Sequence, residues 1–346
     1  MKAVRIHEQG GSEKLRFEDS PEPELTGSQD AIVKLAAAAV NRSDIVLRSG
    51  AAGATIFLPR ILGADGAGVV AAVGDEVKNL QPGDKVCLYP LSGCGACEFC
   101  ASEREFMCAE RRLLGEHENG TYAEYVRLPA RNCFPLPAGL SFTEAAAFPS
   151  AYLTVWRMLM GHAELKPGEH LLIIGMGGIG TAALQLAVHL GARVIVVSGS
   201  DEKIARARAL GAEQGINHKK EDFAAAARRL TGKRGVDVTL DCVGGEGWIK
   251  SLATLARGGR LVGCGAIAGN QTRTDLTRIF WNNLKIFGST LGSRQDFGQV
   301  VQLLGNSRVK PAVDRTFPLE EAAAAQQRLE RGEPFGKIVL TIGGQN

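Results

Sequence analysis

Two hydrophobic patterns divide this chain. In its middle, short unbroken apolar runs are separated by glycine-rich turns. Leu171–Ile174 is one such run, and a run of that length bounded by turn residues reads as a strand buried on both faces of a parallel sheet. A helical stretch follows as far as Leu190, where Gly191 can close it in the left-handed conformation. Arg193–Val197 is the next apolar run and completes a strand–helix–strand unit. The rhythm continues downstream. Gly235–Gly245 reads as a strand ending at Asp241, Gly258–Ala266 as a further strand after a helix, and Asn283–Ser293 as the last.

The first 150 residues read differently, with short alternating strands and many turn residues. In "LQPGDKV" (80–86), for example, a turn leads into a strand. This predicts an antiparallel, β-rich domain. The late stretch "PFGKIVLTI" (334–342) is again a short strand, expected to return to that first domain and make it discontinuous. The expected fold is therefore α/β. A β-rich domain covers residues 1–151 and 292–346, and a doubly wound parallel-sheet domain covers 152–291.

Composition narrows the function classes. A length of 346 residues suits two domains. The 40 basic and 37 acidic residues nearly cancel, which gives no reason to expect nucleic acid or an anionic membrane as partner. No apolar run is long enough to span a bilayer. The opening "MKAVRIHEQGG" has no apolar signal core, so a cytoplasmic protein is expected.

Half of the eight cysteines then fall within one short stretch, Cys94, Cys97, Cys100 and Cys108. In a cytoplasmic protein such a cluster reads as metal-binding rather than disulfide-bonded. Gly93, Gly95 and Ala96 let the backbone turn tightly around an ion. Four thiolates at this spacing suit zinc, while an iron–sulfur cluster is the rival, disfavoured by the long last gap. With four sulfurs filling the coordination shell no position stays open, so a zinc held here, in a lobe over residues 92–110, is structural. The remaining Cys87, Cys133, Cys242 and Cys264 each stand alone among apolar or glycine neighbours, and read as small buried hydrophobes.

Gly175-Met176-Gly177-Gly178-Ile179-Gly180 fits G-x-G-x-x-G, and it lies between the first central strand and its helix. In that context the glycines allow a tight turn and close approach to a pyrophosphate, with the helix N-terminus supplying free N–H groups. An NAD site places Asp or Glu at the end of the second strand. Here Ser198 stands there, and Asp201 falls in the first turn of the next helix. Ser198, Ser200 and Lys203 offer hydroxyls and a cation, which would welcome a 2′-phosphate, and His218 can close over it. NADP is the expected cofactor. Each of these residues also reads as solvated surface, so the expectation rests on the absent acid.

These pieces resemble the medium-chain dehydrogenase/reductase family over essentially the whole chain. The resemblance lies in "AAAVNRSDIVLRSG" (37–50), "LGADGAGVVAAVG" (62–74), "LQPGDKV" (80–86), the four-cysteine lobe, "NGTYAEYV" (119–126), "IIGMGGIG" (173–180), "GGRLVGCG" (258–265) and "FGKIVL" (335–340). It implies a GroES-like β-rich catalytic domain, a Rossmann domain, a cofactor in the cleft between them, and a homodimer or homotetramer. It places the cofactor against Thr154, Val243, Gly263, Cys264, Gly265 and Lys337 as well as the residues above.

The departures from that family carry the functional reading. Zinc alcohol dehydrogenases of the family hold a catalytic zinc with Cys, His and Cys at places where this chain has Asn41, Ala64 beside Asp65, and Ser150. Neutral Asn and Ser oxygens beside one carboxylate are poor zinc partners, so no catalytic zinc is expected. Glu116 and His117 are a second candidate pair for a metal, against their reading as a solvated loop. Without a Lewis acid, the natural reaction is hydride donation to an acceptor that is already electrophilic, a quinone or an α,β-unsaturated carbonyl. This is similar to the quinone oxidoreductase branch lacking catalytic zinc. Asn41, Ser43 and Asp65 are the catalytic candidates, with Ser43 at the family's proton-relay position or simply starting a helix. Tyr122, Phe57 and Trp281 line the pocket or only pack. A zinc alcohol dehydrogenase with unusual ligands, and an NADPH-binding sensor or scaffold with little turnover, are the alternatives.

Overall fold

The apolar runs of the chain's middle fold as a six-stranded parallel sheet in the computed structural model, which describes residues 1–307 and 309–343. Across the sheet the strands are Gln214–Asn217, Arg193–Ser198, His170–Ile174, Val236–Asp241, Leu255–Gly263 and Lys285–Gly288. Every neighbouring pair is parallel. The chain starts at the middle strand, winds outward one way, then returns and winds the other, which is the doubly wound order of dinucleotide-binding sheets. Helices cover such a sheet, so its strands are apolar on both faces. Leu171, Leu172, Ile173 and Val196 are accordingly without solvent exposure. Helix Gly178–His189 packs on strands His170–Ile174 and Arg193–Ser198, with Ala182, Ala183, Leu186 and Ala187 buried.

Two strands depart from their expected bounds for local reasons. Asn283 has φ of 52°, a left-handed geometry that interrupts an extended chain, so the outer strand begins only at Lys285. The strand expected over 258–266 runs instead over Leu255–Gly263, and Cys264 lies just past its end. The chain divides into two compact units. Ala151–Leu291 contains this sheet, and Met1–Ser150 joins the segment from Gly292 onward to form the other.

That other unit is β-rich, as expected. Its main sheet runs Cys133–Pro135, Lys85–Leu88, Asp65–Val73, Asp30–Ala39, Lys337–Thr341 and Val313–Pro318, with Tyr125–Pro129 also paired to Asp30–Ala39. All pairings are antiparallel except Lys337–Thr341 with Val313–Pro318. The stretch 334–342 does supply a strand to this sheet. Its register matters for function. Ala39 faces Asp65 on one side and Val339 on the other, so the heads of two flanking strands meet at the end of the central one.

Helix Arg42–Ser49 follows at once and carries the least expected core residue. Arg48 is 1% exposed. Its Nε donates to Gln326 Oε1 (2.7 Å) and its Nη1 to the Gly10 carbonyl (2.7 Å), while Nη2 pairs with Glu330. Three sequence-distant segments are thus tied by one planar fork. No helix among the described residues is long and apolar enough to cross a membrane.

Arg48→Ala leaves a buried carbonyl and amide without partners, and should cost on the order of 3 kcal/mol in denaturant unfolding. Arg48→Lys should recover little of it, because a point ammonium cannot serve the three acceptors held by the fork.

Candidate functional site

The chemistry-bearing residues of the β-rich unit gather where its strand heads meet. Asp65 opens strand Asp65–Val73 and has no exposed surface. Its Oδ1 accepts from the Ser150 backbone N–H (2.9 Å) and from Ser150 Oγ (2.5 Å). Its Oδ2 accepts from Asn41 Nδ2 (2.9 Å) and from the ammonium of Lys337 (3.1 Å). Lys337 Nζ also donates to Asn41 Oδ1 at 2.5 Å. A carboxylate has about four acceptor directions, and all four are taken here. Asn41 bridges the pair because it stands just before helix Arg42–Ser49 in an extended conformation, one residue beyond the central strand's alanines plus Val40. Three of the sequence candidates, Asn41, Asp65 and Lys337, are therefore one cage with Ser150. Ser43 is exposed on the first helical turn and stands outside it.

A second buried carboxylate backs the cage. Asp44 accepts from the Asn41 backbone N–H (2.8 Å) and the Tyr122 hydroxyl (2.8 Å). Burial pushes its carboxyl up to about 6, against the pull of those two hydrogen bonds and of Lys337, while Asp65 adds to the rise. Tyr122 is fully buried and spends its hydroxyl on Asp44, so it packs rather than lining a pocket. Phe57 is 85% exposed and Trp281 68%, and neither is walled in by its own unit.

The residues present do not fit a catalytic zinc. Ala64 has only a methyl group. Asp65, the one anionic ligand among the three family positions, already faces an ammonium and three neutral donors. A divalent cation here would have to displace Lys337 and meet an amide and a hydroxyl as its other ligands. His117 accepts the Leu113 N–H on Nδ1 (3.2 Å) and holds Nε2 3.8 Å from Glu116, with both side chains partly exposed. Among the described residues the four cysteines form the only cluster of metal-ligating side chains.

That cluster does fit an ion. The sulfurs of Cys94, Cys97, Cys100 and Cys108 all lie within 4.8 Å of one another, and the lobe resembles a structural zinc site. The glycines serve it as expected. A Cβ on Gly93 would meet Cys100 Sγ at 2.5 Å, and Gly95 takes φ of 81°. Backbone N–H groups of Ala96 and Cys97 point at Cys94 and pull its thiol down to about 7, which favours the thiolate a metal needs.

In the parallel-sheet unit the Gly-rich turn is built for a phosphate. Gly175 has φ of 89°, Gly177 precedes helix Gly178–His189, and a Cβ on Gly180 would fall 1.9 Å from the Gly175 carbonyl oxygen. Ile179 lies in the first helical turn. The turn thus closes on itself and presents the helix N-terminus, with Val243 lying against Gly175. Val243, Gly263, Cys264 and Gly265 sit at or just beyond the carboxyl ends of strands Val236–Asp241 and Leu255–Gly263. Thr154 is buried in helix Pro149–Trp156.

At the end of the second strand Ser198 Oγ accepts the Ser200 N–H (3.2 Å), and Ser200 caps the next helix by accepting the Lys203 N–H (3.3 Å). Asp201 opens that helix and is engaged by Asn217 Nδ2 (2.8 Å) and Lys220 Nζ (2.7 Å). His218 and Lys219 lie over Gly199, whose added Cβ would be 2.9 Å from His218 Nε2 and 3.0 Å from Lys219 Cε. Lys219, although exposed, is a cation not anticipated from the sequence, since nothing in "INHKK" says which lysine lies beside Gly199. Lys337 as partner of Asp65 was missed too. A lone cation heading an apolar strand was the available signal.

Comparison with known proteins assigns both units to described families. A family model of the alcohol dehydrogenase GroES-like domain matches residues 27–138, and one of a zinc-binding dehydrogenase matches residues 178–306. An NAD-dependent alcohol dehydrogenase of Sulfurisphaera tokodaii is 35% identical over 98% of this chain and 99% of its own. A quinone oxidoreductase of Rattus norvegicus is 30% identical over 99% of this chain and 98% of its own. A crystal structure of an NAD-dependent alcohol dehydrogenase superposes with a TM-score of 0.94 at 39% identity, covering 99% of this chain and all of that one.

Asp44 supplies a pH test. Its folded-state carboxyl titrates above the usual aspartate value near 3.8, so the folded state binds the proton more tightly. The cost of ionising it is absent below pH ~4 and grows as pH rises through 6, reaching on the order of 3 kcal/mol. Asp44→Asn keeps an acceptor for Tyr122 and Asn41, and should flatten the fall in unfolding free energy between pH 4 and 6.

Proposed function

This chain belongs to the medium-chain dehydrogenase/reductase superfamily, and we propose that within it the protein transfers a hydride from NADPH to a quinone or an α,β-unsaturated carbonyl without a catalytic zinc. Its relatives are NAD(P)-dependent oxidoreductases, and so is this chain. The observation that carries the narrower reading is the Asp65 carboxylate, saturated by Asn41, Ser150 and Lys337 where the family's zinc enzymes gather metal ligands.

Bound dinucleotide supplies the hydride. The Gly175–Gly180 turn and the helix behind it would hold its pyrophosphate. The chain's remaining task is to place an acceptor and to meet the charge that develops on it. As the β-carbon of an enone, or the ring of a quinone, is reduced, negative charge moves to the acceptor's oxygen, and conjugation spreads it. Lys337 is the cation of the cage, and Asn41 holds it in place. Asp65 offsets its charge beforehand, so the resting cage is near neutral and does not attract a hard metal ion. Exposed Ser43, on the adjoining helical turn, is the entry point for the proton that completes the product.

The cofactor preference follows from the end of the second strand. No Asp or Glu stands at the end of that strand, which closes on Ser198. Ser198, Ser200, Lys203 and His218, joined by Lys219, would receive a 2′-phosphate. One structural zinc per chain, on Cys94, Cys97, Cys100 and Cys108, would clamp the lobe. Exposed Leu276, Phe280 and Trp281, just before the outer strand Lys285–Gly288, suit a homodimer or homotetramer. We assign the chain to the cytoplasm.

The decisive experiment counts zinc by mass spectrometry and follows NADPH oxidation with quinones, enones and aldehydes. One zinc per chain with turnover of quinones or enones is expected. Two zincs with NAD-linked alcohol oxidation would establish the dehydrogenase instead, and tight NADPH binding without turnover would leave a sensor. Separately, Lys203→Ala should raise the Kd for NADPH about tenfold while leaving NADH nearly unchanged, since one charge-assisted contact is worth roughly 1.5–3 kcal/mol. Equal losses would overturn the NADP preference.

A further inference from the structure

Cys242 and Cys264 are far apart in sequence and were each expected to be isolated. The structure corrects this. They are the first residues beyond the paired Asp241 and Gly263 on neighbouring parallel strands, and their sulfurs are 3.1 Å apart, with the Cys264 thiol donating to Cys242. That is about 1 Å beyond disulfide bonding distance, and adjacent strands at about 4.8 Å place two Cα atoms within the span a disulfide bridges. Cys242 is buried and Cys264 is half-buried, open on the side of the exposed Gly265 and Ala266. The hydrogen bond with Cys264, and then burial, hold Cys242 as the neutral thiol.

Their position gives the pair a consequence. Both lie at the carboxyl edge of the dinucleotide sheet, where a nicotinamide half is bound. Val243, the next residue, packs against Gly175, the first glycine of the phosphate turn, 3.5 Å from where a Cβ would stand. Asp241 fixes the same turn by accepting the Val243 N–H (2.8 Å) and the Gly244 N–H (3.0 Å). A change at Cys242 therefore reaches the cofactor loop through one residue.

We propose that Cys242 and Cys264 are a reversible redox pair, closed to a disulfide by a hydroperoxide and reopened by a thiol, and that the disulfide and bound dinucleotide oppose each other. The more open Cys264 sulfur attacks the peroxide, the O–O bond breaks, an alcohol or water leaves, and Cys264 becomes a sulfenic acid. The Cys242 sulfur then attacks the Cys264 sulfur, and the S–O bond breaks. Water leaves with the Cys242 proton. The two thiols lose two electrons and the peroxide gains them. Bound dinucleotide shields Cys264, so it slows closure. Closing the 3.1 Å gap to a bond also draws Cys242 toward Cys264 and moves its neighbour Val243 against Gly175, so the disulfide weakens dinucleotide binding, and by linkage bound dinucleotide makes the disulfide easier to reduce.

The test uses the full zinc-loaded chain. Binding of NADPH to the reduced protein is measured first, so that a failure of the cofactor assignment is seen separately. Hydrogen peroxide is then added with and without NADPH, free thiols are alkylated, and peptides are mapped by mass. A Cys242–Cys264 cross-link is expected, formed more slowly with NADPH present, together with a rise in the NADPH Kd of about tenfold that dithiothreitol reverses. Cys242→Ala should lose both the cross-link and the oxidative rise in Kd. Oxidation confined to the four zinc cysteines, a cross-link that leaves Kd unchanged, or the same rise in Cys242→Ala would each overturn the proposal.

Discussion

The ion pair between Lys337 and Asp65 is the contact on which the rest of the β-rich unit's chemistry depends. Both side chains are almost wholly buried, so neither charge is tolerable without the other. Their pairing fixes Asn41, which bonds to both, and through Asn41 the start of helix Arg42–Ser49. Ser150, on the far oxygen of Asp65, ends the same unit's first segment. One carboxylate thereby sets where four segments of chain meet, and its lone pairs are spent on organic donors. Every acceptor direction of this carboxylate is met by an ammonium or a neutral donor.

Much of this was legible in the sequence, though unevenly. The parallel strands were plain because both of their faces are buried, which leaves unbroken apolar runs such as Leu171–Ile174. The Gly-rich turn was plain because Gly175 and Gly180 answer steric demands that no other residue meets. The four cysteines declared themselves by spacing. The cage did not. Asn41, Asp65 and Ser150 could be singled out by resemblance to a family, but the partner of Asp65 lies 272 positions away and joins it only through strand register. Register is a property of paired strands, and a single strand's pattern does not contain it. Arg48 escaped because its three acceptors, at positions 10, 326 and 330, are remote in the chain and meet it only through tertiary packing.

The cysteines teach the same lesson in two forms. Cys94 to Cys108 are close in the chain, so their convergence follows from local turns. Cys242 and Cys264 each end a different strand, so their meeting follows from neighbouring places in the sheet. Short-range chemistry could be read directly, whereas long-range chemistry needed the topology first.

The return of the chain to its first unit has a consequence for how the molecule is made. A ribosome delivers Asp65 early, and the whole parallel-sheet unit emerges before Lys337. Throughout that interval the incipient β-rich unit holds an anion without its ammonium and an edge unpaired at Ala37–Ala39. The inserted unit, whose strands are contiguous in the chain, has all its partners first. Synthesis thus completes the parallel-sheet unit ahead of the β-rich one. The final strand acts as a latch that closes the older half only after the younger one is whole.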